Sequence, residues 1–457
     1  MSIRTIDINQ YTQFFNVSLQ NKHKYGEINT DFNLANDILE LIPKDKFENP
    51  HLRWLDPCCG CGYFSMALYK KLFNHLPIEN EEEKHNHIIN EMLWMIEINN
   101  EHIVVLKEIF GEKAHIINAD FLSTTGKYDM IFGNPPFNVK GQVKVPTNKK
   151  SSKKTDGSSI WPQFIKHAIH QLKDNGYLTF ITPSLWMKRD HSMYKYMLNY
   201  NIQKIKTLTN TETNRAFHGH AQTPTCYFTL ANIKESLKPI FIYDKSISKY
   251  VLCSPQIGDT SISLPLFAQS VLQRLCFLVE EYGHINVIKT NMRPDYKGLS
   301  LKSKPDKEHP FPNISTCILN KLQPELVINY SNKECVYANQ PKLVLAHKMY
   351  GFPYYDISGT YGISNRDNYV ILNKTPEEFQ QLKSFFSTKF ALYIFEATRY
   401  RMKYLEKYIF EMIPDITKMP LPNEINDEIL EKYFRLLPSE IAGIQNHTKN
   451  YNKLKSN

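Results

Sequence analysis

Asp129-Met130-Ile131-Phe132-Gly133-Asn134-Pro135-Pro136-Phe137 reads as a buried strand that stops in a rigid turn. Met130, Ile131 and Phe132 suit a strand covered on both faces. Gly133 and two prolines end it, because proline has no N–H to give a sheet ladder. Asn134 and Phe137 are thereby left at the strand's carboxyl end, where open α/β sheets place their chemistry. The Asn134 side-chain oxygen and the Pro135 carbonyl are two acceptors suited to one exocyclic amino group. Holding both of its hydrogens favours a pyramidal nitrogen with a free lone pair. Phe137 offers a flat apolar face for stacking a base. The competing reading is a strand-to-loop turn without chemistry.

Upstream, Trp54-Leu55-Asp56-Pro57-Cys58-Cys59-Gly60-Cys61-Gly62 is a short strand followed by a glycine-rich turn, and Tyr63 to Phe73 continues as a helix. Glycines let a ligand approach the backbone, and a helix start presents free N–H groups. The Gly-x-Gly-x-x-Gly pattern is missing, which argues against a nicotinamide-type cofactor. Cys58 and Cys61 have zinc-ligand spacing but no second pair to complete four ligands, so no metal is expected. Residues 75 to 90 read as a solvated loop or helix end. Glu91 to Ile96 is a strand ending at Glu97, and an acid there suits ribose hydroxyls. A helix from Glu101 to Phe110 is closed by Gly111. Ala114 to Asn118 is a third strand, followed by Asp120-Phe121. Strand, glycine turn, helix, strand, acid, helix, strand, acid is a doubly wound, nucleoside-binding α/β layout. Before it, Leu34, Ile38, Leu41 and Ile42 share one face of a helix that Thr30 or Asp31 can cap.

Downstream, Lys140 to Ser159 is lysine-rich and cannot bury a core; it suits either phosphate contact or solvent. Trp161 to Leu172 is a helix, Gly176 to Pro183 a strand, and Met193 to Leu198 helical. Ile202 to Leu208 and Thr225 to Leu230 are the last strands, with Arg215 to His220 as a loop whose His218 and His220 are within reach of a substrate. Beyond about residue 245 the character changes. Short strands at 343–346, 351–357 and 369–372 mix basic and aromatic residues, and helices at 382–396, 404–411 and 426–445 follow. Pro294-Asp295-Tyr296-Lys297 has nuclease-like spacing without the upstream acid. Two domains are expected, 1–245 and 246–457.

The chain has 457 residues, a formal charge of +9 and a pI near 8.8, a basic balance that permits a polyanionic partner. No apolar run is long enough to span a membrane, and the first residues lack a signal-peptide core. Eight cysteines, three of them at 58–61, do not form a disulfide framework. A soluble, intracellular protein is expected. There are no internal repeats.

The glycine turn at 56–62 followed by Asn134-Pro135-Pro136-Phe137, in this order and spacing, resembles the amino-group DNA methyltransferases. It is most similar to the gamma-ordered adenine-N6 type found as modification enzymes of restriction systems. Tyr25-Gly26-Glu27 with Thr30 resembles that family's motif ahead of the cofactor strand. The resemblance covers roughly residues 22–230. It implies a Rossmann-like methyltransferase sheet, a C-terminal mixed α/β target-recognition domain, and S-adenosylmethionine as cofactor. The implied cofactor site is Tyr25, Thr30, Asp56, Cys58, Gly60, Gly62, Glu97, Asp120, Phe121 and Asn134. Asp56, Gly60 and Gly62 would line the methionine part, Thr30 would lie near the carboxylate, Glu97 at the ribose, and Asp120 and Phe121 at the adenine. The implied catalytic set is Asn134, Pro135, Pro136 and Phe137, with asparagine in first place favouring adenine. The implied partner is double-stranded DNA, with a base flipped into the pocket, a separate restriction endonuclease of the same specificity, and a monomeric enzyme. Asp31 stands where the family often has proline, cysteines fill small or proline positions, and Phe137 replaces the commoner tyrosine. Two other readings use the same residues: an RNA or protein-glutamine methyltransferase, and a DNA-binding protein with a vestigial pocket. The length speaks against the glutamine enzymes, which are smaller, and the intact Asp56, Gly60, Gly62 and Asn134 against the vestigial pocket.

Overall fold

The computed structural model describes residues 3–4, 30, 32–139, 159–221, 223–235, 238–290, 298–320, 323–347, 353–365, 368–400 and 405–447. Tyr25, Asp31, the lysines of 140–158, Pro294–Lys297 and Arg401–Tyr404 lie outside the described residues. The chain forms two compact units, Met1–Trp186 with Asp190–Ile242, and Met187–Arg189 with Tyr243–Asn457.

The first unit is built on a sheet whose order follows from its connections. Strand β1 (Trp54–Asp56) pairs in parallel with β2 (Leu93–Glu97) on one side and β4 (Tyr128–Gly133) on the other. The chain first moves outward from β1 to β2 and β3 (His115–Asn118), then returns across β1 to β4 and β5 (Leu172–Pro183). The strand β6 (Tyr200–Leu208) follows β5, and β7 (Thr225–Lys234) inserts antiparallel between them. The strand β8 (Ile240–Asp244) lies parallel to β6, and along it the chain passes into the second unit. The order 3-2-1-4-5-7-6-8 is Rossmann-like. Its direction reverses between β1 and β4, and in such sheets the crevice beyond the carboxyl ends at that reversal is the ligand site.

The buried strands are near-continuous apolar runs, as parallel strands covered on both faces require. Trp54 meets Phe132 edge-on at 6.2 Å, and Phe64 of helix α1 (Tyr63–His75) lies 6.3 Å from the same ring. Asp129 anchors the opposite end of β4: its Oδ2 accepts from the Arg53 N–H at 2.9 Å and from Lys173 Nζ at 2.8 Å.

Several expectations need correction. Residues 75–90 are not one solvated loop: Glu81–His87 is helical, and the π-helical turn Ile88–Met92 buries Ile88, Ile89 and Met92. Arg215 and Ala216 belong to the helix Asn210–Ala216 rather than a loop, and its capping box between Thr209 and Glu212 was a readable signal. The chain does not stop pairing at Leu230: β7 runs on to Lys234 and β8 follows.

The second unit is mixed α/β. One four-stranded sheet contains Lys342–Ala346 between Asn368–Ile371 and Tyr354–Asp356; another is led by the hairpin Phe311–Asn320 and Gln323–Ser331. The helix expected over 382–396 is two, Pro376–Phe386 and Lys389–Ala397, because Thr388 caps the second by accepting from the Ala391 N–H at 3.1 Å. Lys342 is wholly buried and donates to Asp356 Oδ2 at 2.6 Å, so this lysine holds the sheet and meets no polyanion. Among the described residues, no helix is long and apolar enough to cross a membrane.

Candidate active site

The crevice between the ends of β1 and β4 holds a cavity of about 220 Å³. The turn after β1 enters it from the backbone. Gly60 has φ +53°, and a Cβ there would meet nothing within 4 Å, so the loop leaves open space on the cavity side. The Gly60 N–H donates to Glu97 Oε2 at 2.8 Å, and the Asn99 N–H donates to Oε1 at 2.8 Å. These two bonds aim the Glu97 carboxylate, and each oxygen keeps a further lone pair for a hydroxyl donor. The Cys59 N–H donates to the Ile96 carbonyl at 3.1 Å, tying the loop to β2.

Asp56 and Gly62 stand behind that surface and are not among the residues lining the cavity. Asp56 is wholly buried and accepts from Ser65 Oγ at 2.9 Å. Burial pushes its carboxyl up to about 7, opposed by the bonds from Ser65 and the Cys58 N–H and reinforced by the nearby Glu97 charge. Gly62 begins helix α1 at φ +93°, where a Cβ would lie 2.9 Å from Leu106 and 3.0 Å from Phe110. Burial and the carboxylates of Asp56 and Glu97 hold the Cys58 and Cys59 thiols well above the usual thiol range, so both stay protonated and poor metal ligands. Among the described residues, no group of three or more His, Cys, Asp or Glu side chains could hold a metal ion.

The far wall is apolar with one acid. Asp120 Oδ1 accepts from the Leu122 N–H at 3.0 Å, which fixes the carboxylate at the cavity edge. Phe121, Phe164 and Ile160 line the same wall, with Phe121 and Phe164 5.7 Å apart. Ile98 lines it too and is 48% exposed, an apolar side chain left for a ligand to cover. Sequence reasoning missed Ile98, His102, Ile160 and Phe164. The position of Ile98 immediately after the strand-end acid was the available signal. The other three become neighbours only through the fold.

Asn134, Pro135, Pro136 and Phe137 all line the cavity. Asn134 Nδ2 donates to Thr30 Oγ1 at 3.0 Å, and Thr30 is buried. Phe137 is 8% exposed and packs edge-on against the wholly buried Phe217 at 6.1 Å. Asn138 bridges Ser159, and the Ile160 N–H donates to the Phe137 carbonyl at 3.1 Å. The chain therefore leaves for the lysine-rich segment and returns from it directly beside the turn. His218 and His220 are exposed and do not line the cavity.

The donor set fits a nucleoside. A carboxylate suits a ribose diol, a second acid suits an exocyclic amine, and between them lie an aliphatic and two aromatic side chains for a flat ring.

Residues 5–217 match the family described as the Eco57I restriction-modification methylase, which bears out the resemblance read from the two motifs. The type II methyltransferase M.VspI of Vibrio sp. (strain 343) is 32% identical over 169 residues, 35% of this chain and 37% of that one. The type II methyltransferase M.AccI of Acinetobacter calcoaceticus is 28% identical over 205 residues, 42% of this chain and 33% of that one. The match thus spans well under half the length of these relatives. A solved methyltransferase subunit of a type I restriction-modification system from Streptococcus thermophilus is 16% identical over 54% of this chain and 53% of that one, with a TM-score of 0.36.

Proposed function

We propose that this chain is a restriction-modification DNA methyltransferase that uses S-adenosylmethionine to methylate the exocyclic N6 of adenine. The carrying observation is the Asn134 side chain, hydrogen-bonded to Thr30, in a cavity shared with the carboxylates of Glu97 and Asp120. When bound, S-adenosylmethionine supplies a methyl group on a positively charged sulfur. Glu97 holds the ribose hydroxyls, Asp120 the adenine amine, and Ile98, Phe121 and Phe164 cover the adenine ring. Gly60 keeps the loop backbone clear of the ligand, while Asp56 and Gly62 shape that loop from behind.

The target amine is unreactive while its lone pair is delocalised into the base. Asn134 Oδ1 and the Pro135 carbonyl accept its two hydrogens and favour the pyramidal form. Since the amine lies inside the duplex stack, the base must be extruded to reach them. Phe137, backed by Phe217, supplies the face against which the base rests. Positioning and electrostatics then account for the acceleration. The second unit is the candidate target reader, with double-stranded DNA as partner and a separate endonuclease of the same specificity.

The relatives named as type II methyltransferases support a DNA substrate over RNA or a protein amide. The test is base-modification sequencing of DNA from cells expressing the protein, with mass spectrometry of digested DNA. N6-methyladenine at one short sequence is expected. N4-methylcytosine would replace the base while keeping the mechanism, and unmodified DNA would refute the reading.

A further inference from the structure

Three side chains of the second unit form a hydrogen-bonded line, and none of them lines the cavity of the first. Ser300 precedes the short strand Leu301–Lys302, and His309 precedes the strand Phe311–Asn320 by one residue. Leu301 and Phe311 both pair with Ser331 on the strand between them, so the sheet brings the serine and the histidine together. The Ser300 hydroxyl lies 2.7 Å from His309 Nε2, and His309 Nδ1 lies 2.9 Å from Asp306 Oδ1.

Asp306 Oδ1 also accepts from the backbone N–H groups of Glu308 at 3.0 Å and His309 at 2.8 Å, and Oδ2 accepts from Lys302 Nζ at 2.6 Å. The Lys302 ammonium first, and His309 after it, hold this carboxyl well below the usual carboxylate range, so it stays ionised and can only accept. His309 Nδ1 therefore carries a proton. In the neutral ring that leaves Nε2 as an acceptor, and the group facing it is the Ser300 O–H. His309 is 4% exposed, so its ring is held away from bulk water, whereas Ser300 is exposed and open to a reagent. Asn332 fixes the backbone around the serine: its Oδ1 accepts from the Ser300 N–H at 2.9 Å, and its Nδ2 donates to the Gly298 carbonyl at 2.8 Å. The Lys333 ammonium stands 3.3 Å from the place of a Cβ on Gly298, which brings positive charge to the same stretch, favourable to an oxyanion. A hydroxyl on the acceptor nitrogen of an imidazole whose other nitrogen is held by a carboxylate is an activated nucleophile.

We propose that Ser300 is a nucleophile that accepts an acyl group from activated esters, with His309 as its base and Asp306 as the residue that positions the base. Ser300 Oγ attacks the ester carbonyl while its proton passes to His309 Nε2. The Oγ–C bond forms, the bond from the carbonyl carbon to the leaving oxygen breaks, and the leaving oxygen takes the proton from His309. The product is an acyl-serine. This site is separate from the methyl-transfer reading and stands or falls without it.

The probe is a fluorophosphonate, whose phosphorus bonds to an activated serine oxygen as fluoride leaves. The native protein is treated with it, and labelled peptides are read by mass spectrometry. Ser358 is the internal reference: it too is exposed, but its hydroxyl faces Thr360 Oγ1 at 2.6 Å rather than an imidazole. Ser300 should label at least about 100-fold faster than Ser358, the lower end of what a positioned base contributes. His309→Gln should remove that advantage, with folding checked by the melting temperature. Asp306→Ala takes the acceptor from Nδ1, so labelling should slow, and the ¹⁵N-histidine spectrum should show the His309 proton moving from Nδ1 to Nε2. p-Nitrophenyl acetate should acetylate Ser300 with the same dependence on His309. Equal labelling of Ser300 and Ser358 would overturn the proposal, as would unchanged labelling in a folded His309→Gln protein. If His309→Gln unfolds, the comparison of the two serines in the native protein decides. A Ser300 that reacts with the fluorophosphonate and not with the acetate ester would overturn the acyl assignment.

Discussion

Two turns lie side by side at the carboxyl ends of β1 and β4, and they are built on opposite plans. In the turn after β4, the side chains that the sequence marks are those that line the cavity: Asn134, Pro135, Pro136 and Phe137. In the turn after β1, Cys58 and Gly60 line it, while Asp56 and Gly62 are buried behind. One turn presents functional groups. The other presents backbone and empty space, and its side chains hold the shape. Damage to the second turn should therefore stop chemistry in an intact protein, whereas damage to the first should act on stability and on cofactor binding.

The largest effect is expected at Asn134. Asn134→Ala removes the amide acceptor and leaves Glu97, Asp120 and Gly60 untouched. Turnover should fall by roughly two or more orders of magnitude, the scale of one lost transition-state hydrogen bond. Cofactor affinity, read by calorimetry, should stay near native. Equal loss of cofactor binding would merge the two turns into one binding unit and break the contrast.

This contrast also explains what was legible. The sheet could be read because each buried strand is an apolar run punctuated by glycine, proline or acid, so order and type were both encoded locally. The positions of Asn134, Glu97 and Asp120 followed from their places at strand ends. Phe164 and Phe217 reach the site through tertiary packing, which no local pattern encodes. In the second unit, the sequence mixes basic and aromatic residues. The fold separates them: Lys342 is a buried ion pair, Tyr400 is wholly buried, and Arg399 pairs with Glu396 at 3.1 Å. Composition shows that such residues are present, but burial decides which of them can meet DNA.

The next effect belongs to the hidden acid of the first turn. With its carboxyl raised to about 7 in the folded protein, Asp56 keeps its proton on folding where the unfolded chain, near 3.8, has lost it. The folded state then binds more protons, so stability falls as pH rises from about 4 to about 7. Asp56→Asn fills the same space without a charge. Against the native protein, it should match near pH 4 and become more stable by roughly 2 kcal/mol or more at pH 8. Denaturant melts of both proteins across that range provide the check. A variant less stable than native at pH 8 would give Asp56 a charge-requiring role at the site.

Phe137 should have a smaller effect. Phe137→Leu keeps an apolar side chain against Phe217 and loses the flat ring. Capture of the extruded base should weaken by about 1–3 kcal/mol, readable as lower fluorescence of 2-aminopurine placed at the target position. The melting temperature should change little. A large drop in melting temperature with normal capture would make this ring a core residue like those of the first turn.

The finest distinction lies within the first turn, between its two positive-φ glycines. Alanine at either position carries the strain of a left-handed backbone, about 1–2 kcal/mol. At Gly60 that strain is the whole penalty, since a Cβ would meet nothing within 4 Å. At Gly62 the Cβ would also press on Leu106 at 2.9 Å and Phe110 at 3.0 Å. Both contacts are side-chain atoms on one helix, Asn100–Phe110, so relief requires that helix to give. Overpacking of this kind adds about 1 kcal/mol or more. Gly62→Ala should thus be less stable than Gly60→Ala by that margin in denaturant melts. Cofactor affinity should run the other way, because the Gly60 methyl stands in the space that the ligand needs. Equal melts with equal affinities would mean that the loop shifts as a whole and that the division between its front and back faces does not hold.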